Sequence, residues 1–116
     1  MDTLGTLLPR LTTAVPGPAS RALAARLGAV ESRNITFVDD GWPVFWDEAR
    51  GANVRDADGN VYVDLTAAFG VALLGHGAPV VLDAIARQAP RLVHGMGDVH
   101  PPVAKVRFLE ALARVL

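Results

Sequence analysis

Two sets of three side chains in this sequence are the candidates for binding a metal ion. They are His76, His94 and His100, and Asp56, Asp58 and Asp64. The histidines lack the i, i+4 spacing of a helical zinc pair, and the chain has no cysteine to join them. The aspartates lack the alternating ligands and closing glutamate of a calcium loop. We therefore predict no metal site; turn chemistry explains Asp56 and Asp58, and His76 is predicted to hydrogen-bond the backbone of a turn.

Composition limits the class of protein. The chain has 116 residues, 51% of them hydrophobic and 20% charged, with a net charge of -1, which indicates one globular domain. Its basic residues are scattered and balanced by acidic ones, so a nucleic-acid partner is not expected. The absence of cysteine suits a reducing compartment, and the N-terminus has no unbroken apolar core typical of a secretory signal. We expect a cytoplasmic protein.

The first half of the chain predicts an arm, a short helix and a small sheet. Residues 1–18 are rich in proline and small polar residues, which suits an arm that takes order from what it packs on. Residues 20–28 have helical spacing. Residues 43–65 alternate apolar and polar side chains, which predicts up to three antiparallel strands. Gly59 supplies the tight turn of a hairpin, and Gly51 marks an earlier bend.

Residues 65–82 contain no charged side chain. A run of this length could cross a membrane as a helix. Gly70, Gly75, Gly77 and Pro79 interrupt it, however, and a spanning helix must satisfy its backbone without interruption. We therefore predict no membrane span and interpret the run as buried protein interior.

Two helices are predicted in the second half. Pro79 opens the first of them, and Pro90 is expected to kink or end it, because proline removes one backbone donor and crowds the preceding turn. Residues 94–100 form a glycine-rich loop. The last helix begins at Pro101 or Pro102 and is predicted to run to the final residue.

The last helix is apolar on more than one side. Its predicted core-facing residues are Val103, Val106, Leu109, Leu112, Ala113 and Leu116, and the apolar flank is Phe108, Ala111 and Val115. A helix that is apolar nearly all round is normally covered nearly all round. Because a chain of this size buries about two-thirds of its surface on folding, we expect it to need a partner: the rest of a larger polypeptide, a second copy of itself, or both.

An ordered set of motifs over residues 20–116 carries a resemblance to a known family. The motifs are an aromatic strand ending in ARGANVRD, the turn DGN, the strand YVDL, and LGHGAP leading into a helix that carries ARQ. Together they resemble the N-terminal portion of the class III pyridoxal-phosphate-dependent aminotransferases, which include 4-aminobutyrate, ornithine, acetylornithine and ω-amino-acid:pyruvate aminotransferases. The chain departs from the family's pattern at Ala78, at Pro90 and in residues 94–100, which lack the aromatic residues often found there.

The resemblance implies a fold and an assembly. It makes the chain an α+β N-terminal segment, with a short helix, a small antiparallel sheet and two longer helices, of an α/β fold-type I transferase. Residues 1–18 are then an N-terminal arm, and residues 19–116 are expected to be truncated before the large cofactor-binding domain. The family works as a homodimer whose active sites lie at the subunit interface.

The resemblance also implies a cofactor, pyridoxal 5'-phosphate. The family holds it by a Schiff-base lysine, an aspartate at the pyridine nitrogen and a Gly-Ser-rich turn at a helix N-terminus for the phosphate. In the family these groups lie beyond the point where this chain ends. We therefore assign no catalytic or cofactor-binding residue, and we do not expect the chain to bind the cofactor by itself.

Lys105 is the one lysine of the sequence. A catalytic amine needs a pKa lowered by burial or by a neighbouring positive charge. Lys105 lies two residues from Arg107 near the start of an amphipathic helix, which is typical of a solvated flank. We interpret it as a surface lysine.

The segment that is present has an implied role at the substrate. In the family, the loop after the YVDL strand lines the substrate side of the pocket and meets the partner subunit. The matching residues here are Phe69, Gly70 and Val71, and the glycine-rich loop adds Met96 and Gly97 as a second wall. The structural alternative is that Phe69 is an ordinary core aromatic residue and that Met96 fills a gap.

The implied reaction moves an amino group from an amino acid or ω-amino acid to a 2-oxo acid, and the chain is predicted to be inactive by itself. Two alternatives stay open. The chain could be a non-catalytic relic or an interaction module that docks on an intact aminotransferase. The intact enzyme could also be a related aminomutase or decarboxylase, because such enzymes share this N-terminal pattern.

Overall fold

The computed structural model describes residues 3–39 and 41–116. In chain order, its elements are a 3-10 helix at Leu4–Thr6, α1 at Pro18–Gly28, β1 at Trp46–Arg50, β2 at Asn53–Asp56, β3 at Val61–Val63, α2 at Pro79–Gln88 and α3 at Val103–Leu112. The predicted α+β set of three helices and a small antiparallel sheet is confirmed. The relative helix lengths were wrong: α1 has 11 residues, and α2 and α3 have 10 each. Pro18, at the first position of a helix, starts α1 earlier than predicted.

The chain forms two compact units, the first ending at Ala78 and the second comprising Pro79–Leu116. The first contains the sheet, in the order β1-β2-β3 with both pairs antiparallel. Gly51, at φ +60°, turns the chain between β1 and β2, and Gly59, at φ +85°, turns it between β2 and β3. Glycine takes these positive φ values without a steric penalty. Both predicted turns are therefore confirmed.

Two buried asparagines bind the arm to the sheet: Asn53 of β2, whose Nδ2 donates to the carbonyls of Leu4 and Leu7, and Asn60, in the turn between β2 and β3. The Oδ1 of Asn60 accepts the backbone N–H groups of Thr12, at 2.6 Å, and Thr13, at 3.0 Å. Its Nδ2 donates to Asp56 Oδ2 at 2.9 Å. Arg10 also pairs with Val61 through backbone bonds in both directions. The described part of the arm is therefore hydrogen-bonded to the sheet. Met1 and Asp2 of the predicted arm lie outside the described residues.

Asp58, in the same turn, caps α1. Its two carboxylate oxygens accept the backbone N–H groups of Ala19 at 2.6 Å and Ser20 at 2.9 Å. Gly17, the N-cap residue, has no side chain that could do this, and a Cβ there would collide with the Asp58 carboxylate. A negatively charged carboxylate near a helix N-terminus also interacts favourably with the positive end of the helix dipole. Asp58 was predicted only as a turn residue; in the structure it also caps a helix that is distant in the sequence.

Few apolar side chains are buried. Among the residues described, the buried hydrophobic ones are Leu4, Val54 and Val61. The uncharged run that was predicted to be interior is exposed within this chain, with Leu65 at 91% and Val71 at 89%. The described residues of this chain do not cover the run, so its burial against a larger body or a second subunit stays a prediction.

The second unit holds α2 and α3. Helix α2 ends at Gln88, before Pro90, as its missing donor predicted. Helix α3 begins after Pro102 but ends at Leu112, not at the final residue, and turns follow it. The residues predicted to face a core, such as Val106 and Leu109, are exposed. Among the described residues, no helix combines the length and the apolar character that crossing a membrane requires.

We expect Asn60→Ala to loosen the arm at Thr12 and Thr13. The substitution removes the acceptor for two backbone N–H groups, and bonds to a buried partner each contribute about 1 kcal/mol. Amide hydrogen exchange at Thr12 and Thr13 should accelerate about tenfold or more. Asn34→Gly is the control, because Asn34 is exposed and its φ of 64° suits glycine. Unchanged exchange at Thr12 in Asn60→Ala would refute this role.

Candidate functional site

An apolar cleft lies in the first unit, beside the end of the sheet. Its volume is about 480 Å³, within the range of small-ligand clefts. It is lined by Trp42, Trp46, Val54, Tyr62, Val63, Asp64, Leu65, Thr66, Ala68 and Phe69. Trp46 reaches it from the start of β1 and Tyr62 from β3, and the last lining residues follow β3 directly. The sheet and the segment after it therefore build the cleft together.

The segment after β3 forms an unusual left-handed turn. Ala67, Ala68 and Phe69 have φ values of 49°, 49° and 56°, and Gly70 follows at 85°. Left-handed backbone costs a residue with a side chain about 1–2 kcal/mol. Such strain persists where the surroundings over-determine the conformation, and it concentrates at functional sites.

Asp64 is the group that holds this turn. Its carboxylate accepts the backbone N–H of Thr66 at 2.9 Å, the hydroxyl of Thr66 at 2.7 Å and the backbone N–H of Ala68 at 2.8 Å. His76 Nε2 lies 2.8 Å from Oδ2 of the same carboxylate. Because an ionised carboxylate can only accept, Nε2 carries the proton in this bond. One buried carboxylate, 3% exposed, thus organises both ends of the turn.

These four donors keep Asp64 ionised. The hydroxyl of Thr66 has the largest effect and His76 the next. Together with the backbone N–H groups of Thr66 and Ala68 they hold the pKa of the Asp64 carboxyl well below its usual range, although burial opposes them. A carboxylate with this many donors is not available as a proton acceptor for a reaction. Its role is to fix the backbone.

His76 anchors the far end of the segment to the sheet. Its backbone exchanges two hydrogen bonds with Gly51, at 2.9 and 2.8 Å. Its ring meets Trp46 edge-on, with the ring centroids 6.1 Å apart. His76 was predicted to hydrogen-bond backbone, and its own backbone does so with Gly51; its ring, however, is directed to Asp64. An Asp two residues before a Thr is a known turn signature, but it does not reveal a histidine 12 residues away.

Tyr62 is a further polar side chain of the cleft, and its hydroxyl is engaged. It donates to Asp56 Oδ2 at 2.8 Å. Burial, this hydrogen bond and the charge of Asp56 raise the pKa of Tyr62 to about 12. The hydroxyl therefore stays protonated at neutral pH. The cleft offers shape and apolar contact, while Asp64, Thr66 and Tyr62 are committed to holding the fold.

The structure brings three of the predicted wall residues together and assigns the other two to a different unit. Phe69 and Gly70 lie in the left-handed turn and Val71 follows it directly, and Phe69 is 97% exposed. Met96 and Gly97 lie in the second unit. There, the carbonyl of Met96 accepts the N–H groups of Val99 and His100, each at 2.8 Å. The roles of all five at a substrate stay predictions.

The three aspartates considered for metal binding are engaged within the fold. Asp56 bonds Asn60 and Tyr62, and Asp58 caps α1. Within residues 3–39 and 41–116, no cluster of three or more histidine or acidic residues could hold a metal ion.

Comparison with known proteins gives a consistent result. The family described as "Aminotransferase class-III" matches residues 37–116. The 4-aminobutyrate aminotransferase of Mycobacterium tuberculosis is 37% identical over 106 residues, which is 91% of this chain and 23% of that protein. The glutamate-1-semialdehyde 2,1-aminomutase of Symbiobacterium thermophilum is 42% identical over 71 residues, 60% of this chain and 16% of that protein. The chain thus spans less than a quarter of the length of these relatives.

A solved structure is also similar. It is the ornithine aminotransferase of Plasmodium yoelii, with a TM-score of 0.55 and 25% sequence identity, matched over 63% of this chain and 18% of that one. This likeness supports the resemblance noted in the sequence.

Asp64 should remain ionised in acid that protonates an ordinary aspartate. Because its pKa is lowered in the folded chain, the stability it contributes is complete above the unfolded value of about 3.9, and is lost only as the pH falls toward the lower folded value. We expect the carboxyl ¹³C chemical shift of Asp64 to stay constant from pH 7 down through about 3.9. A midpoint at the ordinary value would contradict the four-donor arrangement.

Proposed function

The chain belongs to the class-III aminotransferase family, and we propose that it forms the substrate-side wall of a pyridoxal-phosphate-dependent aminotransferase. That enzyme would move an amino group from an amino acid or ω-amino acid to a 2-oxo acid. The observation that carries the proposal is the exposed Phe69, held on a strained turn at the rim of an apolar cleft. A strained turn that presents an uncovered aromatic ring suits contact with a ligand better than packing within this chain.

The described residues do not fit the cofactor itself. Lys105 lies at the surface, as predicted, and its Nζ donates to the carbonyl of Gly97 at 3.1 Å. The carboxylate of Asp64 is already saturated by four donors. When bound, pyridoxal phosphate supplies the electron sink for amino transfer. We propose that groups outside this chain hold it, while this chain contributes apolar shape.

We also propose that the apolar segment 65–74 meets a second subunit. Four of its large side chains are mostly exposed: Leu65, Val71, Leu73 and Leu74. Soluble monomers rarely expose a contiguous apolar patch of this kind. Coverage by a second copy within a homodimer would bury this segment and complete the cleft.

A hybrid enzyme tests the proposed function. In this hybrid, residues 1–116 replace the matching segment of the Mycobacterium tuberculosis 4-aminobutyrate aminotransferase. We expect a folded dimer that binds pyridoxal phosphate and transfers amino groups. A folded, cofactor-loaded dimer without any amino transfer would contradict the proposal and favour a non-catalytic interaction module.

Phe69→Ala in this hybrid should reduce kcat/KM for the amino donor by about 10- to 100-fold, because a buried aromatic contact is worth about 1.5–3 kcal/mol. The visible absorbance of lysine-bound cofactor should not change, because Phe69 is proposed to contact substrate. Phe37→Ala is the matched control, since Phe37 is an exposed phenylalanine outside the cleft. Equal kcat/KM values for the two variants would contradict the proposed role of Phe69.

A second candidate is an aminomutase, which moves the amino group within one substrate. The similarity to glutamate-1-semialdehyde 2,1-aminomutases, at 34 to 42% identity, favours it. A second hybrid, built on the Symbiobacterium thermophilum enzyme, distinguishes the two. Greater retained turnover in this hybrid than in the first would favour the aminomutase.

A further inference from the structure

The position of Phe69 depends on its backbone. Its side chain is 97% exposed, so contacts within this chain do little to hold the ring. This backbone is left-handed at three successive residues that are not glycine, Ala67 to Phe69. Because that conformation is intrinsically unfavourable for such residues, something outside the turn has to hold it.

We propose that Asp64 and His76 are positioning residues that fix this turn and thereby set how tightly the amino donor is held. This inference rests on the proposed function, since the donor is what Phe69 would contact. Neither residue is proposed to touch the substrate or to transfer a proton.

Asp64 acts on the middle of the turn. Its Oδ2 accepts the N–H of Ala68 at 2.8 Å, and Ala68 is the residue directly before Phe69. Its Oδ1 accepts both the N–H and the hydroxyl of Thr66, which fixes the entry to the turn. Bonds to a charged acceptor are stronger than bonds between neutral groups. The carboxylate therefore offsets the backbone strain within the left-handed stretch itself.

His76 fixes the carboxylate. The two backbone hydrogen bonds between His76 and Gly51 join His76 to the turn between β1 and β2. At Gly75 a Cβ would lie 3.3 Å from the Cα of Gly51, so the backbone segments at Gly75 and Gly51 are in close contact. The imidazole is 16% exposed and Asp64 is 3% exposed, which limits replacement of their bond by water. The chain of contacts thus runs from the sheet through His76 and Asp64 to Phe69.

Hydrogen exchange in the full 116-residue chain tests the first link. His76→Phe keeps a ring beside Trp46 but removes the donor to Asp64, and we expect amide exchange at Ala68 to accelerate about tenfold. His76→Gln, which keeps an N–H donor, should recover part of the protection. Asp64→Asn should accelerate exchange at least as much, whereas Asp47→Asn, on the exposed edge of β1, should not. Unchanged exchange at Ala68 in both His76→Phe and Asp64→Asn would overturn the inference.

A double-mutant cycle in the hybrid tests the second link. His76→Phe should lower kcat/KM for the donor about tenfold when Phe69 is present. It should have no further effect in the Phe69→Ala background, because the route to the donor passes through that ring. A merely structural role would give the same loss in both backgrounds, and that result would overturn the inference. If the hybrid transfers no amino groups at all, the proposed function fails, and the exchange measurement decides the inference by itself.

Discussion

The interaction on which the site depends is the set of four hydrogen bonds to the carboxylate of Asp64. Two of them fix Thr66, one fixes Ala68, and the fourth joins His76 and, through its backbone, the sheet. Without them, a left-handed turn built from two alanines and a phenylalanine would relax toward a more favourable backbone. The apolar cleft would then lose the rim that Phe69 provides.

Under the proposed function, the described residues contribute shape rather than proton chemistry. The Tyr62 hydroxyl donates its hydrogen bond to Asp56, Asp64 is held ionised, and Lys105 lies at the surface. In a family whose reaction runs on a cofactor, the protein supplies binding, orientation and electrostatics. The exposed apolar side chains of residues 65–74 and of α3 fit such a division of roles. Under the proposed function, these side chains would be covered by a cofactor-holding body or by a second subunit.

The sequence predicted those features whose causes are local. Gly51 and Gly59 take the positive φ that their turns require, so both turns could be recognised from neighbouring residues. The bond between Asp64 and His76 could not, because it needs the turn at Gly51 to bring distant backbone together. The left-handed turn ending at Phe69 also carries no local signal, since alanine and phenylalanine do not favour it. The motif order indicated the family, and the resemblance, not the local pattern, singled out Phe69.

The most direct test is a crystal structure of the hybrid holoenzyme with an unreactive amino-donor analogue bound. The account predicts positive φ at Ala67, Ala68 and Phe69, with the Asp64 carboxylate still bonded to Ala68 and His76. It also predicts the Phe69 ring within about 4 Å of the analogue. A relaxed, right-handed turn with Phe69 packed away from the analogue would contradict it.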